Sequence, residues 1–392
     1  MSERTDVVVV GGGIVGSCCG LFLARAGLRV AVVEKDPTYE RASTTRSASA
    51  IRQQFHLGVN VAMSRFGYEF YSALEDVGFV ARGYLVLATH DAIARLDAAH
   101  RNQVAHGAQV ELLDERTLRA RFPWLKGRDV GAATFGTGGE GWFDPVAALA
   151  QVRSAATEAG AVYVTGEVNG IDRRGDRVER VRLRRGTAIE CRHIVVAAGP
   201  GAAAVAALAG VEIPVEPRKR TVCVFRPRER IEDFPNLVDP TVAGRGLYVR
   251  PYEDLYMAVT APPPERDPAT FDLEPDVYLF DEVIRDALAR RVRGFEDAEL
   301  VRAWAGHYEM NTLDQNAIVG AHPGVDGLWF ACGFSGHGVM HAPAAGRGIA
   351  ELVGGGRYET IDLSPFSFER IARGRRLDDV QPSEARVETA GI

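Results

Sequence analysis

"TDVVVVGGGIVGSCCGLFLARAGLRVAVVEKD", residues 5 to 36, decides the fold. Val7 to Val10 form an apolar run of strand length. A glycine turn follows, then a helical stretch from Ile14 to Ala26, Gly27 as its stop, and a second strand from Arg29 to Val33. This is one βαβ unit. Gly11, Gly13 and Gly16 satisfy G-x-G-x-x-G: the first permits a tight turn, the second lets backbone approach a pyrophosphate, and the third lets the helix pack on the strand. Glu34, ending the second strand, can accept ribose hydroxyls. The strand before the glycines, the helix after them and the acid at this offset together predict dinucleotide binding.

The totals set the frame. A chain of 392 residues that is 46% hydrophobic and 25% charged is an ordinary globular protein, and its length suggests roughly two or three domains. Net charge is -6 and the sequence pI about 5.9, so no basic excess exists to bind a phosphate backbone, and no nucleic-acid partner is expected. The basic stretch from Arg173 to Gly186 alternates as a half-solvated strand would. The five cysteines are odd in number and lack metal or disulfide spacing, so no metal is expected and a reduced, cytoplasmic setting is. The first apolar run is too short for a membrane span. Nothing in the sequence sets the oligomeric state.

The fingerprint alone does not separate NAD from FAD. Residues 41 to 55, "RASTTRSASAIRQQF", are small and hydroxylic, as backbone laid along a long cofactor would be. Ser43, Thr44 and Thr45 are expected to donate to phosphate, and Arg46 and Ser47 to follow the ribityl chain. Residues 60 to 80 have helical spacing, and Asp144 with Pro145 starts another helix by N-cap and N1 chemistry. Further on, Glu167 and Val168 are expected near an adenine. The strand at Ile194 to Val196 ends in Ala198 and Gly199, where backbone can approach the cofactor.

From Pro214 to about Trp304 the pattern becomes β-rich, with a helical stretch from Asp276 to Arg293, predicting a second domain that covers the substrate. The chain then returns to "CGFSGHGVMHAP", residues 332 to 343, between an apolar strand and a helix. Glycines at such a crossover free backbone N–H groups and a helix dipole to meet an anion. Gly333, Ser335, Gly336, His337, Gly338, Val339 and Met340 are therefore expected to seat a flavin ring, whose reduced form is negative near N1 and O2.

Five segments in order, "DVVVVGGGIVG", "STTRSASAIR", "IVVAAGP", "WAGHYEMNTLDQNAIVG" and "GFSGHGVMHAPAAG", make the chain resemble the FAD-dependent D-amino-acid oxidase superfamily, in the branch of glycine oxidase, sarcosine oxidase and dimethylglycine dehydrogenase. The resemblance implies an α/β fold: a GR2-type, Rossmann-like FAD domain (1–80, 145–213, 315–375) and an α+β substrate domain on an antiparallel or mixed sheet (81–144, 214–314), followed by a polar tail (376–392). Ile14, Val15 and Lys35 would join the FAD contacts. Arg52 resembles the arginine that clamps a substrate carboxylate, Tyr248 resembles a carboxylate-binding tyrosine, and His307 and Tyr308 fall where relatives line the pocket. His307 is the candidate for assisting amine deprotonation.

Departures from the pattern carry information. No cysteine stands near Gly306 to Tyr308, and Arg46 replaces an attachment histidine, so FAD is expected to be held non-covalently. An oxygen-activating lysine aligns loosely with Tyr256, and a carboxylate-binding lysine with Met340, so both charges are missing. The expected reaction is oxidation of the C–N bond of an amino acid or N-substituted glycine, an N-carboxymethyl amino acid included. Hydride would pass to flavin N5, the imine would hydrolyse, and oxygen would be reduced to hydrogen peroxide. The alternatives are an amine dehydrogenase feeding a quinone or electron-transfer protein, and a non-catalytic flavin-binding assembly factor.

Overall fold

The computed structural model describes residues 3–242 and 246–377. Among them the valine run is a strand, Val7–Val10, at the centre of a six-stranded sheet in the order Ile318–Ala321, Leu328–Cys332, His193–Val196, Val7–Val10, Val30–Glu34, Val162–Thr165. Every neighbouring pair is parallel except the first, which is antiparallel. A continuous apolar run is what a strand covered on both faces requires. Val7 and Val9 pack against helices on one side, while Val8 and Val10 face a four-stranded sheet and the short helix Ala202–Ala207 on the other. The helix after the glycines is Ile14–Arg25 and the following strand Val30–Glu34, each within a residue or so of expectation.

The helical layer is drawn together through glycines. A Cβ on Gly346, in the long helix Gly338–Gly355, would lie 2.6 Å from the Cys18 carbonyl carbon and 2.8 Å from Cys19 N, so this closing helix touches the backbone of the leading helix Ile14–Arg25. Gly67, in the helix Gly58–Ser72, sits against the Met340 carbonyl in the same way. Cys18 and Cys19 are fully buried at the helix contact, as small packing residues.

A second sheet of eight strands runs Glu299–Asn311, Val215–Arg226, Leu255–Val259, Leu247–Tyr252, Asn236–Asp239, Tyr84–Thr89, Val130–Gly136, Val110–Asp114. Its two faces follow the period-two alternation of strands. Cys223, Phe225 and Tyr256 point into a core closed by Phe234, Phe280, Leu288 and Phe295, whereas Val222, Val224, Met257, Val259, Tyr84 and Tyr248 take the opposite face. The molecule is thus α/β, with a parallel sheet beside a large, mostly antiparallel one.

One expectation needs adjustment. The helical stretch from Asp276 is realised as a wide turn at Phe280–Ile284 continued by Arg285–Arg291, because Asp276 N is held by Thr221 Oγ1 at 2.8 Å and its carboxylate by Lys219. The polar tail lies, from residue 378 on, outside the described residues. Asp144 caps the helix Pro145–Glu158 as expected, accepting from Val146 N and Ala147 N. No described helix is long and apolar enough to cross a membrane.

Gly346→Ala should push the leading and closing helices apart and lower stability by about 1–3 kcal/mol, the usual cost of overpacking. Urea denaturation checks this, and an unchanged midpoint would contradict the contact.

Candidate active site

The chain turns away from Val10 at Gly11, whose φ of +104° and close approach to the Ala197 carbonyl exclude a side chain. Gly12 N donates to Glu34 Oε2 at 2.7 Å and Asp36 N to Glu34 Oε1 at 2.8 Å, so the acid at the strand end braces the glycine turn. A carboxylate accepts about four hydrogen bonds, leaving capacity on both oxygens for ribose. Gly13 starts the leading helix with no cap from its own side chain, and Thr44 Oγ1 accepts from Ile14 N at 3.1 Å instead. Gly16 lies behind the wall, its missing Cβ making room for the Gly11 carbonyl.

From this turn a single cavity runs between the two sheets. Gly11, Gly13, Ile14, Val15, Glu34, Lys35, Ser43, Thr44, Arg46, Ser47, Arg52, Ala198, Gly199, Tyr248, His307, Tyr308, Gly336, His337, Gly338, Val339 and Met340 all line it. Residues more than 300 apart in the chain are thus brought to one space. Gly16, Thr45, Val168, Gly333 and Ser335 are not on its wall. Thr45 Oγ1 donates to the Tyr39 and Ala42 carbonyls, Val168 opens the strand Val168–Arg174 of the four-stranded sheet, and Ser335 Oγ accepts from Asn311 N at 2.9 Å. The hydroxyl-rich segment spends most of its groups on backbone: Arg46 donates to the Glu40 and Ala305 carbonyls, and Ser47 Oγ accepts from Ser49 N.

Two observations show that these residues fit a dinucleotide with an anionic ring. Ser43 Oγ lies buried on the cavity wall without a hydrogen-bond partner among the described residues, a polar atom that a phosphate oxygen would satisfy. The closing helix opens on the same cavity at Gly338, and the side chain at its N-cap, His337, makes no capping hydrogen bond to its first turn. Its N–H groups and dipole therefore face the cavity. Gly336, with φ +91°, lies flat against the Tyr308 ring, which no other residue could do without collision.

At the far end the wall is built by both sheets. The Arg52 guanidinium, 5% exposed, stands 4.6 Å over the Phe55 ring with Nη2 3.3 Å from His337 Nε2. Tyr84 and Tyr248 stack at 5.9 Å, and Tyr248 Oη donates to Asn236 Oδ1. Burial raises the pKa of both phenols, so they remain neutral donors. Val222, Val238, Val259 and Met340 complete an apolar surface. Tyr308 is half-buried under the Arg220 guanidinium, 5.2 Å from its ring, and Arg220 is held bidentately by Asp267 at 2.8 and 3.0 Å. His307 lies edge-on to Phe271. Its Nε2 is buried without a partner among the described residues, and burial, aided by Arg41 and Arg46, lowers its pKa, so the ring is neutral.

Tyr256 is placed elsewhere. It lies on the outer face of the eight-stranded sheet, its hydroxyl bonded to Ile231, and is not on the cavity wall. One residue on, Met257 takes the face toward the cavity side.

The sequence reading missed four residues. Tyr84, Arg220 and Glu309 line the cavity. Glu140 stands behind it, accepting from Gln53 N at 2.6 Å and from Gln54 Nε2 and Tyr84 N at 3.0 Å. It thereby ties the segment carrying Arg52 to the strand carrying Tyr84, and burial pushes it up to about 7. Its only sequence signal was an acid between glycines in "GGEGW".

Comparison with known proteins agrees with this geometry. The profile of the family described as FAD dependent oxidoreductase (DAO) matches residues 6–352. FAD-dependent oxidoreductase domain-containing protein 1 of Xenopus laevis is 38% identical over 94% of this chain and 83% of its own length. Glycine oxidase of Geobacillus kaustophilus is 27% identical over 94% and 98%. Among solved structures, L-proline dehydrogenase from P. horikoshii superposes with a TM-score of 0.83 at 27% identity, covering 96% of this chain and 100% of that one. FAD is the cofactor.

Glu34→Ala removes one charged acceptor and the brace of the glycine turn. It should weaken FAD binding about 10- to 100-fold, in line with about 1.5–3 kcal/mol for hydrogen bonds to a charged group. Fluorescence titration of the apoprotein with FAD measures the loss, and unchanged affinity would contradict the placement.

Proposed function

Because the chain belongs to the FAD-dependent oxidoreductase family, we propose that it oxidises the C–N bond of an amino acid or N-substituted glycine, with oxygen as the acceptor. The observation that carries this reading is the buried Arg52 guanidinium. It lines the same cavity as the uncapped start of the closing helix and faces an apolar sheet wall. The names of two relatives, a glycine oxidase and an L-proline dehydrogenase, support the same substrate class.

In this reading FAD is held non-covalently, its pyrophosphate at the leading helix and its ring at Gly336 to Met340, and it supplies the hydride acceptor. Arg52 and Tyr248 bind the substrate carboxylate. The stacked Tyr84 and the valines of the eight-stranded sheet press the rest of the substrate toward the ring. Such fixing replaces a search in solution by a set orientation. The apolar wall favours the neutral amine that hydride release requires. His307, neutral and with a free Nε2, accepts the ammonium proton. Closing off water strengthens each of these charges. The depth of apolar wall beside Met340 suits an N-carboxymethyl amino acid, its glycine arm on Arg52.

A second reading replaces oxygen by a quinone or electron-transfer protein. One observation favours it: of Lys35, Lys126 and Lys219, only Lys35 lines the cavity, at its dinucleotide end, so no ammonium stands by the ring.

Anaerobic addition of glycine, sarcosine, proline and N-carboxymethyl amino acids to the holoprotein should bleach the flavin band with at least one of them. Arg52→Met should raise KM about 100-fold, as loss of a charge-assisted pair of about 3 kcal/mol implies, with FAD retained. Bleaching by none of these, or an unaltered KM, sinks the reading. Peroxide release in air separates oxygen from the second acceptor class.

A further inference from the structure

We propose that Glu309 is the proton-accepting partner of the FAD ring: it shares the start of the closing helix with the ring edge that turns negative, so reduction draws a second proton onto its carboxyl. This rests on the ring position proposed above. Glu309 lies in the strand Glu299–Asn311, lines the cavity and is 8% exposed. Its Oε2 accepts from Gly333 N at 3.0 Å. Its Oε1 faces the first residue of the helix, 3.6 Å from where a Cβ on Gly338 would stand. One oxygen is thus tied to the glycine crossover and the other lies beside the first residue of the helix.

The surroundings leave this carboxyl poised. Among the described residues no cationic side chain forms an ion pair with it. Burial pushes it up to about 7, opposed by the N–H groups of Gly333 and Phe334. The titratable groups around it are Tyr308 beside it in the strand, Cys332 on the strand Leu328–Cys332, His337 at the helix start, and Arg52 on the cavity wall. The Cys332 thiol is held well above its usual range by burial and by Glu309's charge, so it stays neutral. On the adjacent strand the register partner of Glu309 is Pro217, flanked by Glu216 and Arg218, which bond each other at 2.6 Å.

Two electrons and one proton reach the ring as hydride at N5, leaving one negative charge at N1 and O2. A carboxylate beside it is a like charge in a low-dielectric site, so its proton affinity rises. With Glu309 ionised beforehand, solvent supplies a second proton to its carboxylate, and the balance is two electrons and two protons. With Glu309 already protonated, below about pH 7, the balance is two electrons and one proton.

The test is the reduction potential of the FAD-loaded protein between pH 5 and 9, titrated with dithionite and dye mediators. The slope should change from one to two protons per two electrons as pH rises past about 7. Glu309→Gln should show one proton throughout and a higher potential at pH 8. Should the variant fold poorly, the wild-type protein still decides, since its slope must carry the step. A wild-type slope without a step, or the same step in Glu309→Gln, overturns the proposal. A variant that alters the flavin spectrum but not the slope would refute the coupling alone, whereas one that alters neither would refute the ring position as well.

Discussion

Everything in the site depends on the backbone contact between the leading and closing helices. With no side chain at Gly346, the closing helix lies on the Cys18–Cys19 peptide, and the two helices run together over one face of the parallel sheet. Their strands, Val7–Val10 and Leu328–Cys332, are separated by one strand and run in the same direction. Both helices therefore begin at the same edge of the sheet. Each N-terminus carries a partial positive charge of about half a unit. A cofactor with a pyrophosphate at its middle and an electron-accepting ring at one end meets a favourable dipole at each.

The second sheet supplies what the first lacks. A ring held only by helix ends would be open to water, and its electrostatic support would be screened. The inward valines, with Tyr84 and Tyr248, close that side with apolar surface, and Arg52 adds a buried charge to the same cavity. Glu140 fixes this junction, because its carboxylate holds the backbone of both Gln53 and Tyr84. The segment carrying Arg52 is thus fixed to the second sheet through backbone hydrogen bonds.

How much of this was legible depended on the range of the interaction. Local chemistry read well: the βαβ unit, the Asp144 cap, the glycine crossover before Gly338, and the half-solvated strand whose Arg180 and Arg182 pair with Asp172. Long-range pairing did not. Glu309 and Tyr84 became wall residues only through the register of the eight-stranded sheet, and Arg220 only through its partner Asp267 on a distant loop. Tyr256 shows how sharp this limit is, since one step along a strand moves a side chain to the other face. The hydroxyls at Thr44 and Thr45 were read as phosphate donors from residue type. The structure spends the Thr45 proton on backbone, lets Thr44 Oγ1 accept from Ile14 N with its own proton still available, and leaves Ser43 Oγ without a partner among the described residues.

The central claim is that one cavity joins two helix N-termini and holds a single cofactor across both. The most direct measurement is the affinity of the apoprotein for FAD against that for FMN. If the leading helix and Glu34 grip the adenylate half, FAD should bind at least about 100-fold more tightly, the worth of two charge-assisted hydrogen bonds. Equal affinity for the two, or failure to bind either, would contradict the account.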